Sequence, residues 1–161
     1  HDLGFSRVRP PLIVATVLGA VWLAIAGASP ELAAGVIWVM AAAAVAAFLL
    51  APTEPDRWLL SAPLAMFAGW LTAATAVSTG ILLGGYGILG DTASALAMLA
   101  LVLLVALGVQ ARKPRMPVYG LTIVWALAGV IVANWPDNAV VAYAAAAGGV
   151  LMLAVVALRR G

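Results

Sequence analysis

The sequence predicts an all-α membrane protein, a single polytopic bundle of six transmembrane helices arranged as three antiparallel hairpins. Three observations carry this reading. Hydrophobic residues make up 66% of the 161-residue chain and charged residues only 9%, a balance that soluble domains do not show. The charges separate uncharged, largely apolar runs at residues 10–30, 32–53, 58–90, 92–111, 116–136 and 138–158. A helix rises about 1.5 Å per residue, so about 20 residues cover a hydrocarbon core about 30 Å thick. The third observation is positional: all eight Lys and Arg residues fall in the termini or the even-numbered loops. One membrane domain is expected over residues 1–161.

The expected spans follow in order. The first covers residues 10–29. The second, 31–51, begins at Ser29-Pro30-Glu31, which supplies a cap, a proline at the first helical position and an acid in the first turn. The third, 59–82, lies in a 33-residue run that is longer than a crossing needs. Its helix is expected to end near Gly80 to Gly84, leaving residues 84–90 as an apolar loop. The fourth span, 92–111, opens at Asp91-Thr92. The fifth, 117–135, follows the basic, proline-punctuated loop Arg112-Lys113-Pro114-Arg115-Met116-Pro117. The sixth, 138–158, opens at Asn134-Trp135-Pro136-Asp137. Loops this short make consecutive spans antiparallel neighbours.

Charge sets the orientation. Arg7, Arg9, Arg57, Arg112, Lys113, Arg115, Arg159 and Arg160 share one face, whereas the loops of the other face carry Glu31, Asp91 and Asp137. This positive-inside pattern predicts a bacterial inner membrane location with both ends of the chain cytoplasmic. It also gives the pI near 9.5 a topological meaning, so nucleic acid is not an expected partner. The chain opens on His1-Asp2-Leu3 rather than Met; a cleaved signal peptide and a missing N-terminal helix or two are equal readings.

Alanine and glycine contribute 37 and 16 residues. Lipid offers little hydrophobic gain for helix pairing, so close approach at small residues has to supply the attraction. Candidate seams at four-residue spacing are Ala15/Gly19, Ala65/Gly69/Ala73, Gly129/Ala133, Ala144/Gly148 and Ala145/Gly149. They read first as packing of the monomer and second as docking sites for a partner helix.

Several chemistries are excluded by absence. Apart from Glu31 at the very start of the second, the expected spans contain no Asp, Glu, Lys, Arg or His, so the proton relay of a coupled transporter is missing. The same absence leaves no Lys for a retinal Schiff base and no axial histidine for a haem. The absence of cysteine removes disulfides and thiol chemistry. The hydroxyls of Thr72, Thr75, Ser78 and Thr79 have no general base beside them. An enzyme is not expected.

Six tryptophans remain to be explained. Trp58 and Trp135 stand at span ends as interfacial anchors. Trp22, Trp38, Trp70 and Trp125 lie between mid-membrane and the outer leaflet when span direction is taken into account. They read either as fillers of gaps among small residues or as the lining of a cavity for a flat apolar ligand. Trp70 follows Gly69 and precedes Thr72, which places a ring beside a gap and a hydroxyl.

The segment Pro63-Leu64-Ala65-Met66-Phe67-Ala68-Gly69-Trp70-Leu71-Thr72-Ala73-Ala74-Thr75 resembles the tryptophan-rich sensory protein family, relatives of the translocator protein or peripheral benzodiazepine receptor. Ser29-Pro30 with Ile37-Trp38, and Tyr119-Gly120-Leu121 with Val124-Trp125-Ala126-Leu127, are further matches to its longer bacterial branch. The resemblance implies an all-helical membrane protein that binds porphyrins or other hydrophobic ligands, with relatives tied to tetrapyrrole export or sensing and to control of photosynthesis. It carries over Trp38, Trp70 and Trp125 as pocket candidates. The compact family has five spans rather than six. Its aromatic- and proline-rich signature before the second helix, and its asparagine-bearing middle helix, have no counterpart here.

The expected function is therefore binding of a flat, tetrapyrrole-like ligand without catalysis, at Trp22, Trp38, Trp70, Trp125 and Thr72. Helix packing is expected at Gly19, Gly69, Ala73, Gly129, Gly148 and Gly149. No covalent cofactor or metal is expected; candidate bound groups are a porphyrin, a carotenoid or a lipid. The alternative is an accessory subunit of a photosynthetic or respiratory membrane complex, whose partners would be lipids and other transmembrane helices.

Overall fold

The computed structural model describes residues 2–158, with side chains from residue 5 onward. The expected cationic end at Arg159 and Arg160 lies outside the described residues. Six α-helices follow one another: α1 Asp2–Ile25, α2 Pro30–Leu50, α3 Ala62–Gly85, α4 Asp91–Arg112, α5 Val118–Asn134 and α6 Ala139–Leu158. Five helical stretches are long and apolar enough to cross a membrane. α5 is shorter, at 17 residues or about 26 Å, because Pro117 precedes it and Trp135-Pro136 follows. The 21-residue uncharged run around it, 116–136, therefore overstates the helix.

Other boundaries also move. α1 starts well before residue 10, because Pro10 and Pro11 sit inside it rather than opening it. Proline's fixed φ suits a helix, but as the ninth and tenth residues of α1 both lack the N–H that would bond four residues back. The helix then stops at Ile25 instead of reaching residue 29. α2 starts with Pro30 and Glu31 as expected, but the Ser29 hydroxyl bonds the Glu31 carboxylate at 3.2 Å rather than capping a backbone N–H. A π-helical turn, Arg57–Ser61, leads into α3. α3 runs on through Gly84 and Gly85, so the loop starts at Tyr86 and turns at Gly87, whose φ of 66° favours glycine. Before α6, Asp137 lies in the turn and the helix begins at Ala139.

α3 is the hub, packing on α2, α4 and α5, while α6 packs on α4 and α5 and α1 lies along α2. All three expected hairpins are present. The sequential pair α4 and α5 departs from the side-by-side expectation. They meet sparingly, through the loop that joins them.

Gln110 organises that junction. Its Nε2 donates to the carbonyls of Lys113 (3.1 Å) and Met116 (3.2 Å), and its Oε1 accepts from the Gly120 N–H at 3.0 Å. Gly120 is required there: a Cβ would stand 2.5 Å from Val156 Cγ2 and 2.8 Å from Gln110 Oε1. Lys113 reaches across to the Ala51 carbonyl at the end of α2 and lies over the Phe48 ring. Burial lowers its pKa from the ordinary lysine value. Phe48 stacks on Tyr119 with centroids 5.6 Å apart. The Tyr119 hydroxyl in turn lies 3.1 Å from Thr72 Oγ1. One chain of contacts thus joins α2, α3 and α5 at the basic end.

The small residues differ in what they touch. A Cβ on Gly69 would stand 2.9 Å from Thr122 Cβ and 3.1 Å from the Tyr119 carbonyl oxygen. On Gly148 it would meet Leu103, and on Gly19 the Met40 methyl. At Gly129 and Gly149 it would meet nothing within 4 Å.

Candidate functional site

Residues one or two helical turns apart share a face, and Trp70, Ala74, Val77, Ile81 and Gly84 make one such face of α3. Nothing covers this face completely. α1 stands off on one side and α4 and α5 diverge on the other, leaving an open groove of about 1740 Å³. That exceeds the roughly 300–1,000 Å³ usual for small-molecule sites. α1 contributes Trp22, α3 contributes Trp70 and α5 contributes Trp125. The Trp70 and Trp125 rings are 5.5 Å apart and tilted by 39°, within the range of favourable aromatic pairs. Both remain about half exposed, at 49% and 64%. Large rings that merely filled gaps would be covered.

The Trp22 Nε1 is buried and has no hydrogen-bond partner. Buried polar groups are rarely left in that state without a reason, and this one belongs to a groove-lining residue.

The sequence-derived site residues separate into two places. Trp22, Trp70 and Trp125 share the large groove, whereas Trp38 and Thr72 line a second space of about 220 Å³ with Ala41, Val45, Leu101 and Val105. Trp38 is anchored there by its Nε1, which donates to Thr79 Oγ1 at 3.1 Å. Thr72 donates to the Ala68 carbonyl at 2.8 Å and faces Tyr119. The expected arrangement of the Trp70 ring beside a gap and a hydroxyl is not formed. α5 fills the gap at Gly69, and the hydroxyl turns away from the groove toward α5. Ala73 lines the groove, as do Gly19 and Gly129.

The wall is apolar apart from a few groups toward the acidic end of the bundle. Asp91 and Asn134 lie there with Ser94, and Ser78 and Thr16 are spaced along the walls. Asp91 is the one charged side chain among the described lining residues. The sequence marks it only as a helix start; its place on the wall follows from Gly84, where a Cβ would stand 2.9 Å from Asp91 Oδ1. Tyr119 and Gln110, whose buried polar groups hold the opposite end, also carry no role that periodicity reveals. Gln110 has one sequence signal, as an amide within an apolar run, since an apolar setting obliges such a group to find partners.

No curated protein and no solved structure matches the chain. The family described as TSPO-like protein does match, over residues 2–158. With almost its whole length matched, this helical membrane protein belongs to the TSPO-like family.

Proposed function

We propose that the groove along α3 binds a flat hydrophobic ligand of the tetrapyrrole class and leaves it chemically unchanged. The observation that carries the reading is the half-exposed Trp70–Trp125 pair in the wall of a large apolar groove. Ring stacking and shape would select the ligand, since the wall offers few polar groups. The basic end of the bundle would face the cytoplasm of a bacterial inner membrane. Titrating a porphyrin diester against purified protein in nonionic micelles tests this. Saturable tryptophan quenching is expected, together with a shift of the porphyrin absorbance band. Quenching that rises without saturation, or no change at all, would remove the proposal.

A second reading, an accessory subunit in a photosynthetic or respiratory assembly, has one specific support. Gly129, in the groove wall, is exposed on α5 with open space before it, a place where another helix could approach closely instead of a ligand. Native electrophoresis after mild extraction separates the two: migration with a large pigmented complex favours this role, and a free monomer or dimer favours the first.

A further inference from the structure

We propose that the groove selects a flat hydrophobic body carrying a long amine-ended arm, with the flat body against the Trp70–Trp125 pair and the ammonium end at Asp91. The inference rests on the ligand-binding reading above and adds the charge and length of the ligand.

Length comes from the wall itself. Trp70 and Gly84 lie on one face of α3, and their 14-residue separation (84 − 70) spans about 21 Å along the helix. Gly84 is the residue against which the Asp91 carboxylate rests. A ligand that touches both ends of the groove is therefore long, with an apolar middle section passing Ala74, Val77 and Ile81.

Charge comes from what surrounds the far end. Asp91 brings a carboxylate, and the described lining contains no Lys, Arg or His. The C-termini of α3 and α5 reach the same end, through Gly84, Gly85, Ala133 and Asn134. Each helix C-terminus carries roughly half a negative charge. Asn134 donates its Nδ2 to the Val130 carbonyl at 2.8 Å, which leaves its side-chain oxygen as an acceptor. Asp91 opens α4, whose N-terminus brings roughly half a positive charge to the same place, but the carboxylate and the two C-termini outweigh it, so the balance favours a cation or a hydrogen-bond donor. A ligand ending in carboxylates, or a phospholipid with its phosphate, would meet no net compensating charge there. The occupant is thus an amine without an accompanying anionic group.

Three pyrene probes that differ only at the end of a dodecyl chain, as ammonium, alcohol or carboxylate, provide the test. Each is titrated in nonionic micelles, reading energy transfer from tryptophan to pyrene. Asp91 is exposed, so the ammonium probe is expected to bind about two- to fivefold more tightly than the alcohol, with the carboxylate weakest. In Asp91→Asn the ammonium preference should fall at least twofold, leaving only the share of the helix C-termini, while alcohol binding persists and shows the groove intact. Asp137→Asn, outside the groove, should keep the preference. Equal binding of ammonium and alcohol by the unaltered protein overturns the charge assignment alone, as does a preference that Asp91→Asn leaves undiminished. Failure of all three probes to bind overturns this inference together with the ligand-binding reading.

Discussion

Gly69→Ala perturbs the contact on which the α3–α5 interface depends. The added methyl would sit 2.9 Å from Thr122 Cβ and 3.1 Å from the Tyr119 carbonyl oxygen. Carbon atoms pack at about 3.5–4.0 Å, so α5 has to withdraw by about 0.6–1 Å. Neither neighbour can rotate aside, because one is a backbone oxygen and the other is bonded directly to the backbone. Withdrawal stretches the 3.1 Å contact between Thr72 and Tyr119 past the useful range, a loss of about 0.5–1.5 kcal/mol. Overpacking itself costs about 1–3 kcal/mol, and replacing glycine in a helix returns about 0.5–1 kcal/mol. The net expectation is a loss of about 1–3 kcal/mol. Unfolding by SDS from nonionic micelles, followed by circular dichroism, measures it. Gly129→Ala is the matched control, since its methyl meets nothing within 4 Å, and it should be neutral or slightly stabilising. If Gly69→Ala proves as stable as Gly129→Ala, the account of the α3–α5 seam is wrong.

Other perturbations should behave as follows. Gln110→Leu removes three hydrogen bonds and strands the Gly120 N–H and the Met116 carbonyl, while the Lys113 carbonyl keeps the Met116 N–H, which should lower stability by about 2–4 kcal/mol in the same SDS titration. Trp125→Leu removes one ring of the pair and should weaken porphyrin-diester binding about two- to tenfold. Trp38→Phe, in the separate smaller space, should leave that affinity unchanged. Burial lowers the Lys113 pKa below its ordinary 10.5, so between the lowered value and 10.5 the unfolded chain binds more protons. Stability should therefore rise with pH through that alkaline window, and Lys113→Met should flatten the rise.

The bundle was legible because lipid imposes a simple rule, an apolar stretch of sufficient length between charges. All six helices and their three hairpins follow from it. The rule says nothing about how prolines behave, which is why α1 runs back past Pro10 and Pro11 and α5 stops short of Trp135. Small-residue spacing marked Gly69 and Gly129 alike. Only the structure separates the close approach at Gly69 from the open space at Gly129, because spacing fixes a face but not what lies opposite it. The tryptophans were limited in the same way. Depth could be counted along each span, whereas rotation about the helix axis decides that Trp70 meets Trp125 and that Trp38 turns to Thr79 instead. The sequence marks Asp91 as a helix start, and that is also its position. Its second role, as a charged wall of the groove, depends on the close approach to Gly84 on another helix.

Photolabelling maps the occupied surface most directly. A diazirine-bearing flat apolar probe is irradiated with the protein in micelles, with and without excess unlabelled porphyrin diester, and the labelled peptides are sequenced by mass spectrometry. Label that the porphyrin displaces should concentrate on the segments carrying Trp22, Trp70 and Trp125. Displaceable label confined to Trp38, Leu101 and Val105, or label spread evenly over the lipid-facing helices and indifferent to porphyrin, would contradict the assignment of the groove along α3 as the binding site.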